Sequence, residues 1–94
     1  MRVVFTQASL RDLNRIRNYI AKESGSPEVA DRYVGRIFNA CEALNYSSES
    51  YSVYRYAAKW RMTPFEKYLV LFRVLNGEVK IGRVRHGARR VFRG

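Results

Sequence analysis

Residues 67–90 read KYLVLFRVLNGEVKIGRVRHGARR, and the reading of this stretch decides the fold. Tyr68–Val74 is almost wholly apolar and rich in β-branched and aromatic side chains, which predicts a strand buried on both faces. Asn76 and Gly77 follow at once. A tight hairpin turn needs φ > 0 at two successive residues, which Asn tolerates and Gly adopts freely, so an Asn-Gly pair between apolar runs predicts a β-hairpin. Simple alternation along the return strand, Glu78–Arg85, puts Val79, Ile81, Arg83 and Arg85 on one face. Lys80, Gly82, Val84 and His86 fall on the other. The apolar positions gather near the turn and the cations at the far end. The hairpin is therefore expected to be anchored at its turn and to carry function at its exit.

Working outward, Arg2–Thr6 predicts a short strand with an apolar middle. Ser9 reads as a helix N-cap with Asp12 in the capping-box position behind it. Leu10, Leu13, Ile16 and Ile20 then form an amphipathic stripe that ends near Gly25, a residue suited to a left-handed cap. A second helix starts with Ser26 as cap and Pro27 in its first turn, and Ala30, Tyr33, Ile37, Cys41 and Leu44 make its stripe. Residues 45–52 are polar and serine-rich and predict a loop. Val53–Met62 predicts a further strand, with Tyr54, Tyr56, Ala58 and Trp60 on one face. Pro64 is expected to end it, because proline cannot donate to a ladder. The fold class is α+β, one domain over residues 1–94. Two antiparallel N-terminal helices cover a small antiparallel sheet in the order β-α-α-β-β-β.

Composition narrows the function. A 47% hydrophobic share fits a globular chain, and no apolar run nears the ~20 residues of a membrane-spanning helix. MRVVFTQAS does not read as a signal peptide. The single Cys41 can form no internal disulfide, which fits the cytoplasm, and no His/Cys pattern predicts a metal or another cofactor. The net charge of +10 is unevenly placed: residues 1–50 contribute +1 and residues 51–94 contribute +9. Such a field opposes compaction by self-repulsion, so it points to a polyanionic partner, nucleic acid or an acidic protein segment, against the plainer reading of a soluble basic surface. Eight of the eleven cations in the second half are arginine, whose planar fork suits phosphate or carboxylate.

Individual residues leave alternatives open. His86, the only histidine, is a candidate general acid/base or phosphate contact, or else a structural histidine holding a strand end. The aromatics and cations interleaved over residues 54–61 suit base stacking, but aromatics at period two on a strand are more often core. The chain has no Gly-rich phosphate loop, paired carboxylates or Ser/His/Asp arrangement.

The strand-helix start, SPEVADRYVGRIFNACEAL at residues 26–44, the strand YLVLFRV at 68–74 and the ending V-x-H-G-A-R at 84–89 together resemble the ParE branch of the RelE/ParE superfamily, the toxins of type II toxin–antitoxin (plasmid stabilisation) modules. The resemblance spans nearly the whole chain. It implies a toxin that poisons DNA gyrase without catalysis, or, as in RelE-like members, a metal-free ribonuclease that cuts mRNA on the ribosome. Three positions where nuclease members carry basic residues hold Trp60, Met62 and Leu69 here, and their C-terminal tyrosine falls near Phe92. That departure favours the gyrase reading, while Arg73, His86 and Arg89 would be the nuclease set. Arg90 stands where ParE-like chains often carry an acid. The implied target surface is Arg83, Arg85, His86, Arg89, Arg90 and Arg93. The implied partner is a cognate acidic antitoxin that folds on binding in a hetero-oligomer, with contacts at Leu13, Arg17, Ile20, Arg55, Arg61 and Arg73.

Overall fold

A computed structural model describes residues 2–45, 53 and 59–87. In chain order the elements are β1 (Arg2–Phe5), α1 (Gln7–Ser24), α2 (Pro27–Glu42), a 3₁₀ turn (Ala43–Asn45), β2 (Arg61–Phe65), β3 (Tyr68–Leu75) and β4 (Glu78–His86). The four strands form one sheet in the spatial order β1-β4-β3-β2, with the two helices inserted between β1 and β2 in the chain. The sheet is mixed where a purely antiparallel one was expected, because β1 runs parallel to β4. The order β-α-α-β-β-β itself is as the sequence predicts.

The hairpin forms around Asn76 and Gly77, whose φ values of 52° and 73° are the left-handed pair that such a turn requires. Alternation along β4 does not run unbroken. Leu71 pairs with Arg83 but Phe72 pairs with Ile81, so Gly82 is an extra, bulged residue. The bulge exchanges the faces beyond it. Val79, Ile81, Val84 and His86 now share one face with Tyr68, Val70, Phe72 and Val74, whereas Lys80, Arg83 and Arg85 share the other with Leu69, Leu71 and Arg73. The single core lies on the first face, where Leu13, Ile16, Ile37, Cys41 and Leu44 of the helical layer pack on Val70, Phe72, Val79, Ile81 and Val84. Burial pushes the Cys41 thiol up to about 12, so this cysteine is inert packing.

Gly82 also admits a ring. A Cβ at this position would meet the far edge of the Trp60 indole, which lies on the second sheet face with the Arg73 guanidinium 5.4 Å from its centroid. Gly82→Ala is expected to push the indole off the sheet. The emission of this sole tryptophan should shift to the red, with a stability loss of about 1–3 kcal/mol by denaturant unfolding.

The helix starts show how local spacing was overruled. Thr6, not Ser9, caps α1, being extended at φ −73° and ψ 161° with its side chain accepting from the Ser9 N–H. The Thr6 hydroxyl donates to the Ile81 carbonyl at 2.9 Å, so the cap also fastens the helix to β4. Ser9 is buried and its hydroxyl donates to the Thr6 carbonyl. The buried stripe is accordingly Ser9, Asp12, Leu13 and Ile16, and Leu10 is exposed. Gly25 closes α1 at φ 71°, and Ser26 with Pro27 opens α2, as expected.

Pro64 does not end its strand. It pairs with Leu69 inside β2, which is an edge strand and so tolerates a missing donor. Val53 makes an isolated bridge to Arg61, and the expected strand over residues 54–58 and most of the serine-rich loop lie outside the described residues. A two-residue turn joins Phe65 to Tyr68, with Glu66 at φ 52°. A carboxylate residue in that region is strained. Here α2 holds it: Tyr33 donates to Glu66 at 2.9 Å and Arg36 at 2.8 Å. Burial, then the bond to Glu66, pushes the Tyr33 phenol up to about 12. A raised folded pKa gives stability that is complete below the unfolded value of 10.0 and lost as pH climbs through about 12. Tyr33→Phe should therefore lack this contribution, and its deficit against wild type in urea unfolding should narrow between those limits.

Candidate functional site

β1 pairs only with Glu78–Ile81, so among the described residues no strand lies beside the outer edge of β4 beyond Gly82. α1 takes that place. The carboxylate of Asp12, 2% exposed, accepts the Val84 N–H at 2.9 Å, Arg83 Nε at 2.8 Å and Arg83 Nη2 at 3.1 Å. A side chain on the helix thus supplies the acceptor that a neighbouring strand would have supplied. Asp12 is not the capping-box acid that its spacing predicts.

A groove of about 500 Å³ opens between this contact and the exit of the hairpin. α1 contributes Asp12, Arg15, Ile16 and Tyr19; the turn after β2 and the start of β3 contribute Lys67 and Tyr68; β4 contributes Val84, Arg85 and His86. The floor is Ile16, Val84 and the Tyr68 ring, and the rim is cationic. His86 stands edge-on to Tyr68, with ring centroids 5.8 Å apart. Burial raises the Tyr68 phenol pKa, so that ring stays neutral at physiological pH. The Gly87 N–H donates to the Lys67 carbonyl at 2.7 Å and fixes the exit of the hairpin. Among the described residues neither Lys67 nor Arg85 is paired with a carboxylate. Asp12, the one carboxylate in the groove, is already engaged three times. The arrangement is suited to holding an anion beside apolar surface.

Of the expected target surface, Arg85 and His86 both line this groove, extending from opposite faces of β4. Arg83 sits behind them as the partner of Asp12. Arg89, Arg90 and Arg93 lie outside the described residues. The nuclease set does not assemble. Arg73 and His86 point to opposite faces of the sheet, and five residues of strand, about 17 Å, separate Tyr68, the partner of His86, from Arg73. The expected antitoxin contacts are dispersed. Leu13, at 2% exposure, is a core residue and cannot meet a partner, since helical periodicity turns it directly onto the sheet. Ile20 is half-buried against the same core, and Arg17 donates to Asp31 of α2 at 2.9 Å. Arg61 and Arg73 lie on opposite sheet faces, and Arg55 is outside the described residues.

Arg15, Tyr19 and Lys67 were missed as site residues. Arg15 and Tyr19 stand at i and i+4 on the turn that follows Asp12, a helical spacing that the apolar stripe alone does not bring out. Among the described residues no group of His, Cys, Asp and Glu could hold a metal ion. Nor is any described helix long and apolar enough to cross a membrane.

A family model described as the ParE toxin of type II toxin-antitoxin system, parDE, matches residues 3–91. Among solved structures, a chain of a chromosomal ParDE TA system from P. aeruginosa superposes with a TM-score of 0.83 at 22% identity. The match covers 92% of this chain and 95% of the other. At that identity the likeness speaks for the fold. No curated protein is similar enough in sequence to count as a relative.

Proposed function

Since the chain belongs to the ParE toxin family of type II toxin–antitoxin systems, we propose that it arrests growth by binding DNA gyrase in the cytoplasm, without catalysis, and that a cognate antitoxin neutralises it. The observation that supports this reading is the state of the groove carboxylate. A metal-free phosphodiester cleaver needs a base and an acid beside the scissile phosphate. Asp12 is fully engaged by Arg83 and the Val84 N–H, so the one carboxylate among the groove residues is not free to act as a base beside His86. The three positions where nuclease relatives carry basic residues are also occupied otherwise. Trp60 packs on Gly82, Met62 pairs with Leu71, and Leu69 pairs with Arg85.

The proposed contact surface is Arg85 and His86, continued by Arg89, Arg90 and Arg93, with Arg83 as the residue that holds β4 in place. The antitoxin is drawn in by the +9 half of the chain. The decisive experiment is gyrase supercoiling and DNA-cleavage assays with purified protein at two salt concentrations. Cleavage complexes should accumulate and should fall at the higher salt, as a surface contact made by arginines requires. Undisturbed gyrase, together with mRNA cuts in a translating extract that vanish in His86→Ala, would overturn the proposal in favour of ribosome-dependent ribonuclease activity.

A further inference from the structure

An exposed ion pair on a small protein commonly contributes little, but the one at the turn after β2 holds a residue in a conformation that its type resists. Glu66 and Lys67 make the two-residue turn between Phe65 and Tyr68, and Glu66 has φ 52°. Tightness alone would be served by glycine or asparagine, as Asn76 and Gly77 serve the other hairpin. A carboxylate here can be reached from α2: Tyr33 Oη donates to it at 2.9 Å and Arg36 Nη2 at 2.8 Å. Backbone strain persists where the surroundings hold it, and it collects at sites that must keep one geometry. We propose that Tyr33, Arg36 and Glu66 are positioning residues that fix the exit of the β3–β4 hairpin, so that α2 sets the placement of His86 and Gly87. The functional consequence rests on the toxin reading above, in which His86 is part of the target surface.

Two routes lead from this cluster to the exit. The first is backbone. The Lys67 carbonyl, next to Glu66, accepts the Gly87 N–H at 2.7 Å. A Cβ at position 87 would lie 3.2 Å from that carbonyl oxygen and 3.7 Å from Leu69 Cγ, so glycine permits the close approach. The second is a row of rings. Tyr33 meets Tyr68 edge-on with centroids 6.2 Å apart, and Tyr68 meets His86 at 5.8 Å. Arg36 is itself held over rings, its guanidinium carbon 5.7 Å from the Tyr33 centroid and 5.4 Å from that of Phe65. The two routes end at adjacent residues, from which the chain continues to Arg89, Arg90 and Arg93.

The cluster supplies position more than stability. The Arg36 and Glu66 side chains are 58% and 47% exposed, and an ion pair so open to water adds little to folding. None of Glu66, Lys67 and Gly87 belongs to the buried core. A turn that drifted would therefore leave the core intact, yet it would loosen the bond between Lys67 and Gly87 and widen the range of His86 orientations. A surface that is not prearranged pays more ordering entropy when it binds. The bond from Tyr33, then that from Arg36, also holds the Glu66 carboxyl below the usual carboxylate range, so the clamp is charged at neutral pH.

The test uses the full chain. Glu66→Gly removes the clamp and keeps the turn. Its lost hydrogen bonds and the relieved strain at φ 52° oppose each other, so its thermal melt should stay near that of wild type. Two readouts report position. Hydrogen exchange at the Gly87 amide, followed by NMR, should quicken about tenfold or more, while the Val84 amide, held by Asp12, keeps its wild-type rate. The concentration for half-inhibition of gyrase supercoiling should rise about tenfold, with weaker growth arrest. Arg36→Glu should behave alike. The charge-swapped pair Arg36→Glu/Glu66→Arg should recover much of the loss, which a merely global destabilisation would not allow. Asp31→Ala breaks a comparable exposed ion pair, that with Arg17, and should match wild type in both readouts.

Unchanged Gly87 exchange in Glu66→Gly would overturn the proposal. So would quickened exchange with wild-type inhibition, or a charge-swapped pair no better than Arg36→Glu. A wild-type chain that neither inhibits gyrase nor arrests growth refutes the toxin reading instead, and the Gly87 exchange rates then decide alone whether α2 fixes the hairpin exit.

Discussion

Asp12→Ala is expected to cost the protein about 3 kcal/mol of folding free energy, a large part of the 5–15 kcal/mol that holds a domain of this size together. Two penalties add. The Val84 N–H, buried beneath α1, loses its acceptor, and an orphaned buried donor costs about 1–3 kcal/mol. Arg83 loses both hydrogen bonds of its fork, but its side chain is 28% exposed and recovers part of that loss by hydration, which keeps the total at the low end for a broken buried pair. Asp12→Asn should fall between, since its amide oxygen can still accept from Val84 while its amide nitrogen faces a guanidinium. Urea midpoints at constant m-value measure all three proteins. The magnitude discriminates between roles. A carboxylate serving only the helix N-terminus is worth about 0.3–1 kcal/mol, so a loss below 1 kcal/mol in Asp12→Ala would return the residue to the capping role that its spacing implies.

That ambiguity shows where sequence reading succeeds and where it stops. Asn76–Gly77, Gly25 and Ser26–Pro27 were legible because their conformational demands are local: each asks for a φ value or a missing donor that few residues satisfy. The stripe of the second helix was legible because Tyr33, Ile37, Cys41 and Leu44 all meet one core. Asp12 was misread because a plausible local role hid a partner 71 residues away. Gly82 was misread for a related reason. A glycine inside a strand is compatible with unbroken alternation, and only the ladder to Leu71 and Phe72 reveals the bulge that exchanges the faces. Every residue beyond Gly82 was consequently assigned to the wrong face, Val84 and His86 among them.

The groove was half legible. A cationic hairpin exit carrying Arg85 and His86 follows from the order of residues in one strand. Its other wall does not, because Arg15 and Tyr19 reach it only through the fastening of α1 to β4 by Thr6 and Asp12. The mixed sheet explains why that fastening exists. β1 is too short to accompany β4 along its whole length, and the helix that follows β1 takes over the open edge. A structural requirement of the sheet thus sets the position of the candidate site.

Deleting residues 90–94 is expected to abolish growth arrest while leaving the fold intact. Among the described residues the buried core ends at Val84 and the last ladder pair is Tyr68 with His86, so the truncation leaves every described core side chain and strand pairing in place. It removes Arg90 and Arg93, lowering the charge of residues 51–94 from +9 to +7. Two arginines at the rim of a protein interface change affinity through direct forks to the partner and through the rate of encounter, and both effects fall with salt. Colony counts under induction and thermal melts separate these effects. Lost toxicity with an unchanged melt assigns the tail to the target. Retained toxicity would remove residues 90–94 from the contact surface and place its weight on Arg85 and His86.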